Sequence, residues 1–201
     1  MSITINKKGQ TLEEFLAEYK TLGYPSVAVT VDDVVLAINN ERLAVLMIKR
    51  ANFPYIYDWA LPGGFVEDHE SCEQAAAREL AEETGLQDIE LEQLYTVSTP
   101  NRDPRVRCVS NVFVGFCPKA LPVIASDDAE DAAWFTLDFA AKDDMYELVL
   151  QSEKETLNAV MRINRCKNGK IDINASEILS QNGIGFDHAK LILYAIETLS
   201  N

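Results

Sequence analysis

Between Trp59 and Leu86 an apolar strand end breaks into paired glycines and then into an acidic helix, and this stretch constrains the chain most. Trp59-Ala60-Leu61-Pro62-Gly63-Gly64 predicts the strand and its turn. Glycines there let backbone approach a ligand closely and free a carbonyl to face it. Ser71 with Gln74 three residues on has the form of a capping box, so a helix is expected to start there. Ala75, Ala76, Ala77, Leu80 and Ala81 favour the helix, and Gly85 is a natural left-handed stop. Glu79, Glu82 and Glu83 are three and four residues apart and so share one face. Glu82 and Glu83 sit in the last turn, where the helix dipole disfavours negative charge by roughly 0.3–1 kcal/mol each. Acidic helix faces are usually solvated ones. Here, however, Glu67, Asp68, Glu70, Glu73, Glu79, Glu82 and Glu83 stand against Arg78 alone, directly after a glycine turn. A hard divalent cation with oxygen ligands is the simplest compensation.

Gly64, Glu70, Arg78, Glu79, Leu80, Glu82, Glu83, Gly85 and Leu86 together resemble a complete Nudix box. Lys49-Arg50 before it and Ala133-Trp134-Phe135 after it also resemble that family, and the likeness covers about Val27 to Leu137. The resemblance implies an α/β Nudix fold, a mixed β-sheet sandwiched between helices. It also implies hydrolysis of a nucleoside diphosphate linked to another moiety, with Mg2+ or Mn2+ as cofactor. Divalent ions clamp phosphate oxygens and lower the pKa of bound water, which is what pyrophosphate cleavage needs. Glu79, Glu82 and Glu83 are the expected metal ligands, with the Gly63 carbonyl added by analogy. Arg78 and Glu70 are expected to orient the carboxylates rather than to react. The general base stays open between Glu79, Glu82 and an acid of the later Asp127-Asp128-Ala129-Glu130-Asp131 loop, where Asp128 or Glu130 is the candidate.

Lys49-Arg50 and Arg102-Asp103-Pro104-Arg105 resemble the ADP-ribose pyrophosphatase branch, so Arg50 and Arg105 are expected substrate contacts. Arg102 is equally an ion-pairing residue in so acidic a protein. Phe65, with Phe53, Tyr55 and Tyr57 as alternatives, could stack on adenine, although such residues are more often core. His188 reads as a structural histidine. The first expectation is therefore hydrolysis of ADP-ribose to AMP and ribose 5-phosphate. Phe186-Asp187-His188-Ala189 also resembles the ADP-ribose-sensing repressors of the family, which carry a winged helix after this domain. Thirteen residues after His188 are too few for such a module, and no basic recognition helix is evident. A nucleoside triphosphate pyrophosphohydrolase would share the metal chemistry.

The formal net charge of −14 argues against non-specific nucleic-acid binding. Cys72, Cys108, Cys117 and Cys166 form no close pair, which fits free thiols in a reducing cytoplasm. No signal peptide or apolar run of spanning length is evident, so no membrane association is expected. A homodimer is expected by family analogy. Residues 1–25 are expected to form an N-terminal helical segment, with a Thr11/Glu14 capping box and a Leu12, Phe15, Leu16, Tyr19 stripe read as core packing, ending near Gly23. Residues 26–141 would form the catalytic domain, with strands near Ser26–Ile38, Leu43–Ile48, Ile89–Thr99, Arg107–Phe116 and Ala132–Leu137. Residues 142–201 would add a hairpin at Asn168-Gly169 and a terminal helix from Phe186 to Leu199, packed on the same domain. Tyr146–Gln151 and Thr156–Arg165 fit either helix or strand.

Overall fold

Valine density on both faces makes the first predicted strand the centre of the molecule. In this computed structural model, which describes residues 6–19, 26–126 and 129–199, that strand is β1 (Ala28–Asn39), buried continuously from Thr30 to Ala37. It turns through Asn40 and Glu41, both at positive φ, into β2 (Arg42–Arg50), a two-residue hairpin of the kind whose twist suits antiparallel strands. The chain continues through β3 (Trp59–Ala60), α2 (Cys72–Thr84), β4 (Leu91–Val97), β5 (Cys108–Cys117) and β6 (Ala129–Lys142). It ends with β7 (Met145–Gln151), β8 (Thr156–Arg162), β9 (Glu177–Asn182) and α3 (His188–Leu199), and α1 (Leu12–Tyr19) precedes everything. The sheet order is β4-β5-β1-β2-β6-β7-β8-β9, with β3 on β2. The β1–β5 pairing is parallel and the other ladders are antiparallel, so the sheet is mixed.

Strand period two then decides which helix covers which face. Val31 packs with Ala75 and Ala76 of α2, and Val35 with Leu80. The alternate residues Val34 and Leu36 share the main core with Leu191, Ile192 and Ala195 of α3. The sheet is thus sandwiched between helices, as the sequence implied.

Beyond Leu36 the two strands of the first hairpin stay paired, but towards Ala28 they diverge. Residues 59–66 fill the fork. Trp59 and Ala60 pair with Lys49 and Ile48 of β2, and Phe65 bridges Thr30 of β1. The glycine turn is therefore stitched into the middle of the sheet rather than left as a surface loop.

Three expectations change. The ambiguous segments are strands, because burial alternates residue by residue along β7 and β8. At Asn168-Gly169 the turn closes a hairpin that is short, with backbone bonds from Cys166 to Lys170 and from Asp172 to Asn164 around the bridge Arg165–Ile171, and the strand partner of β8 is β9. Beyond that, Asp172 and Ser176 bond backbone groups of Ala175, Asn164 and Asp172, which ends the ladder in a side-chain-capped turn. Finally, α1 has its Thr11/Glu14 capping box, but Leu12, Phe15 and Leu16 are exposed rather than core. The end expected near Gly23 lies outside the described residues. All four cysteines are free, and no described helix is long and apolar enough to cross a membrane.

Candidate active site

The turn that fills the fork is held to β1 by three backbone hydrogen bonds. Asp33 N–H donates to Pro62 O (2.8 Å), Val31 N–H to Gly64 O (2.9 Å) and Val66 N–H to Val29 O (3.0 Å). This close approach is possible only without side chains. Gly63 has φ 147°, and a Cβ there would lie 2.1 Å from Val31 O. A Cβ on Gly64 would lie 2.3 Å from Glu79 Oε1. Gly63 N–H also donates to Glu83 Oε2 (2.9 Å), so the turn touches two of the three box carboxylates.

Helix α2 presents those carboxylates. Ser71 and Gln74 form the expected reciprocal cap, and Gly85 closes the other end in the left-handed conformation with its N–H on Ala81 O. Arg78 is the hub. Its guanidinium donates to Glu70 through Nε (3.0 Å) and Nη2 (2.6 Å), to Glu82 Oε2 through Nη1 (2.9 Å), and to Phe65 O (3.1 Å). Glu79 Oε1 is 2.9 Å from the same Nη1. Arg78 hydrogen bonds, helped by the Glu67 N–H, hold the Glu70 carboxyl down at about 2. Burial pushes Glu79 up, against the pull of Arg78. Glu79, Glu82, Glu83, Gly63 and Gly64 line one cleft of about 330 Å³. Among the described residues, no three His, Cys, Asp or Glu side chains are already gathered at metal-binding distance, since Arg78 and the Gly63 N–H engage these acids.

Arg50, Phe65 and Arg105 line the same cleft and also a second, smaller one beside it. Arg105 is fixed by Asp103 (Nη2–Oδ2 2.8 Å) and lies 5.1 Å over the Phe65 ring. Arg50 donates to Pro54 O (2.7 Å) and lies 5.1 Å over Phe186. Phe65 is 42% exposed, and Phe53, Tyr55 and Tyr57 are not core residues either. Tyr55 packs on Phe186, with ring centroids 4.7 Å apart.

Behind the second cleft lies a buried polar network. Arg102 donates to Asp187 Oδ1 (2.7 Å) and Asp32 Oδ2 (3.1 Å), and Ser110 Oγ donates to Asp32 Oδ2 (2.6 Å). Arg102 is therefore neither a surface ion pair nor a free phosphate contact. Leu61 N–H donates to His188 Nδ1 (2.8 Å), which leaves Nε2, 3.3 Å from Asp32 Oδ1, as the protonated nitrogen. His188 is thus a satisfied structural residue, as expected. Burial pushes the Asp32 carboxyl up, but His188, Arg102 and Ser110 outweigh it and hold it well below the carboxylate range.

Glu130 is the extra, exposed residue of a bulge where Asp131 and Ala129 face Lys49 and Arg50, and it lines neither cleft. Asp128 lies outside the described residues. Sequence reasoning missed Asp32, Asp33, Asp103 and Phe186. Asp33 is fully buried, and neither carboxyl oxygen has a hydrogen-bond partner. Burial drives its pKa well up, and Asp32, Glu83 and Glu79 add to the rise.

A NUDIX domain model matches residues 29–152 of the chain. The chain is 41% identical over 127 residues to an ADP-ribose pyrophosphatase of Methanocaldococcus jannaschii, covering 61% of this chain and 68% of that protein. It is 33% identical over 147 residues to the ADPR responsive transcriptional repressor NtrR of Acinetobacter baylyi, covering 72% of this chain but only 58% of the repressor. Among solved structures, a MutT/nudix family protein from Enterococcus faecalis superposes with a TM-score of 0.73 at 33% identity, covering 95% of this chain and 70% of that one. The NUDIX domain of Shewanella oneidensis NrtR, complexed with ADP ribose, gives a TM-score of 0.66 at 26% identity, covering 94% and 99%.

Proposed function

The chain belongs to the NUDIX family, and on that premise we propose that it hydrolyses the pyrophosphate bond of ADP-ribose, releasing AMP and ribose 5-phosphate. The observation that carries the reading is one cleft lined both by Glu79, Glu82 and Glu83 and by Arg50, Arg105 and Phe65. Arginine forks suit phosphate and ribose oxygens, and a half-exposed aromatic ring beside them suits a base. The relative at 41% identity supports ADP-ribose over other nucleoside diphosphate derivatives.

The residues fit a hard divalent cation, Mg2+ or Mn2+. All the side-chain donors are carboxylates, the glycine turn brings backbone against them, and the buried Asp33 carboxyl is uncompensated by protein. Glu79, Glu82, Glu83 and the Gly63 carbonyl would hold the ion. Once bound it supplies charge neutralisation for the diphosphate and a more acidic water. Arg78 and Glu70 keep Glu79 and Glu82 in register along α2. Glu79 and Glu82, which both line the cleft, are our general-base candidates. Four free thiols support a cytoplasmic setting, and the exposed Leu12, Phe15 and Leu16 of α1 support a homodimer.

A second reading, an ADP-ribose-binding regulator, is favoured by the 72% of this chain that matches the Acinetobacter repressor. One experiment separates the two. Wild-type, Glu82→Gln and Glu83→Gln proteins are incubated with ADP-ribose and Mg2+, and AMP is quantified by chromatography. Turnover by wild type, lost by orders of magnitude in both folded variants, is expected. Near-normal rates in both would remove the site assignment. Binding of ADP-ribose by wild type without any AMP released would favour the regulator.

A further inference from the structure

Among the described residues Asp33 is the buried carboxylate with no hydrogen-bond partner on either oxygen. Its position is set by the pleat of β1. Val31 and Val35 flank it on the same face and pack on Ala75, Ala76 and Leu80, so Asp33 points toward α2 between them. Its own N–H is bonded to Pro62 O, one residue before the Gly63 N–H that binds Glu83. The carboxylate therefore sits directly behind the Glu79–Glu83 wall. Burial pushes its pKa up, and the neighbouring Asp32, Glu83 and Glu79 push it further. A valine would fill such a core position at lower cost, since a buried carboxyl without a hydrogen-bond partner is unfavourable in either protonation state. Asp32, its neighbour, shows the usual solution, with Arg102, Ser110 and His188 around it. Among the described residues Asp33 has no such partner.

We propose that Asp33 is an inner carboxylate of the cation site, compensated by the divalent ion that Glu79, Glu82 and Glu83 would hold, so that it raises ion affinity and couples ion binding to stability. The proposal rests on the metal reading above. Asp33 acts as a positioning residue, standing behind the ligands rather than against substrate. The interaction needs no nucleotide, because the group lies on the protein side of the glycine turn.

The test uses the full chain and MnCl2 alone, without nucleotide. Isothermal titration calorimetry and thermal melts with and without Mn2+ are run on wild type, Asp33→Asn, Asp33→Val and Glu83→Gln. In both Asp33 variants the Kd for Mn2+ should weaken about tenfold, or ~1.4 kcal/mol. The Mn2+-induced rise in Tm should shrink with it, while the metal-free Tm should be no lower than that of wild type. Wild-type Mn2+ affinity in both Asp33 variants, with Glu83→Gln impaired, would overturn the role of Asp33 and leave the metal reading standing. Absence of Mn2+ binding in wild type, or unimpaired binding by Glu83→Gln, would bring down the metal reading and this proposal together. Misfolding of both metal-free Asp33 variants would also overturn it, by making the residue purely structural.

Discussion

Gly63 and Gly64 adjoin in sequence but should respond in opposite ways to a single methyl group. In Gly64→Ala the new Cβ would sit 2.3 Å from Glu79 Oε1, 2.5 Å from its Cδ and 2.8 Å from Oε2. Ordinary contact begins near 3.4 Å, so the Glu79 carboxylate must retreat by about 1 Å. Gly64 is not among the glycines at positive φ, and the obstacle is the far end of a flexible side chain, so the backbone need not move. The fold should therefore keep its melting temperature within a few degrees. Catalysis should not survive so well, because a misplacement of about 1 Å in a reacting or ligating group costs on the order of 10²-fold. That is about 2.7 kcal/mol in the barrier. In Gly63→Ala the Cβ would meet Val31 O at 2.1 Å, a backbone atom, at a φ of 147° that side chains rarely adopt. That variant should lose stability first, since neither the turn nor β1 can yield. The assay is kcat/KM for ADP-ribose with saturating Mg2+, read beside a thermal melt. A Gly64→Ala enzyme of wild-type kcat/KM would refute the placement of Glu79. A Gly64→Ala protein that unfolds early would refute the claim that only the carboxylate is displaced.

Arg102→Met should destabilise by roughly 3–5 kcal/mol, because it strands the buried Asp32 and Asp187. Arg42→Ala, which breaks an exposed pair with Asp138, should change stability by about 0–1 kcal/mol, and urea midpoints of the two variants give the comparison. The acid limb of stability should depend on Asp32. Its folded-state pKa lies below its unfolded value, so its contribution is complete above about pH 3.9 and drains away as pH falls below that. Melts between pH 6 and 2.5 should show a steep decline in wild type and a shallower one in Asp32→Asn, from a lower starting stability. Arg78→Gln should release Glu79 and Glu82 and lower kcat/KM by about 10–100-fold with the melting temperature nearly kept. Chelation with EDTA should abolish AMP release, and added Mg2+ should restore it.

Why α2 could be anticipated and the Arg102 network could not follows from how far each interaction reaches along the chain. The Ser71–Gln74 cap, the left-handed Gly85 and the Arg78–Glu82 pair all lie within four residues, so spacing alone specifies them. Arg102 meets Asp32 across 70 positions and Asp187 across 85, and only the parallel β1–β5 pairing and the packing of α3 bring them together. An arginine in a proline-bracketed loop therefore reads equally as a phosphate contact and as a surface ion pair. Asn168-Gly169 shows the same limit from the other side. Its turn chemistry was legible, yet the hairpin it closes is short and β8 takes the distant β9 as its partner. Val31-Asp32-Asp33-Val34-Val35 did carry a signal that was passed over. Two adjacent acids in a strand too apolar to have a wet face must point to opposite sides of the sheet, and each then needs its own source of positive charge. On the α3 side the protein supplies that charge through Arg102. On the α2 side, facing Glu79 and Glu83, no described residue gives Asp33 a partner. The pleat of one strand thus separates the structural carboxylate from the one that a bound cation would have to satisfy.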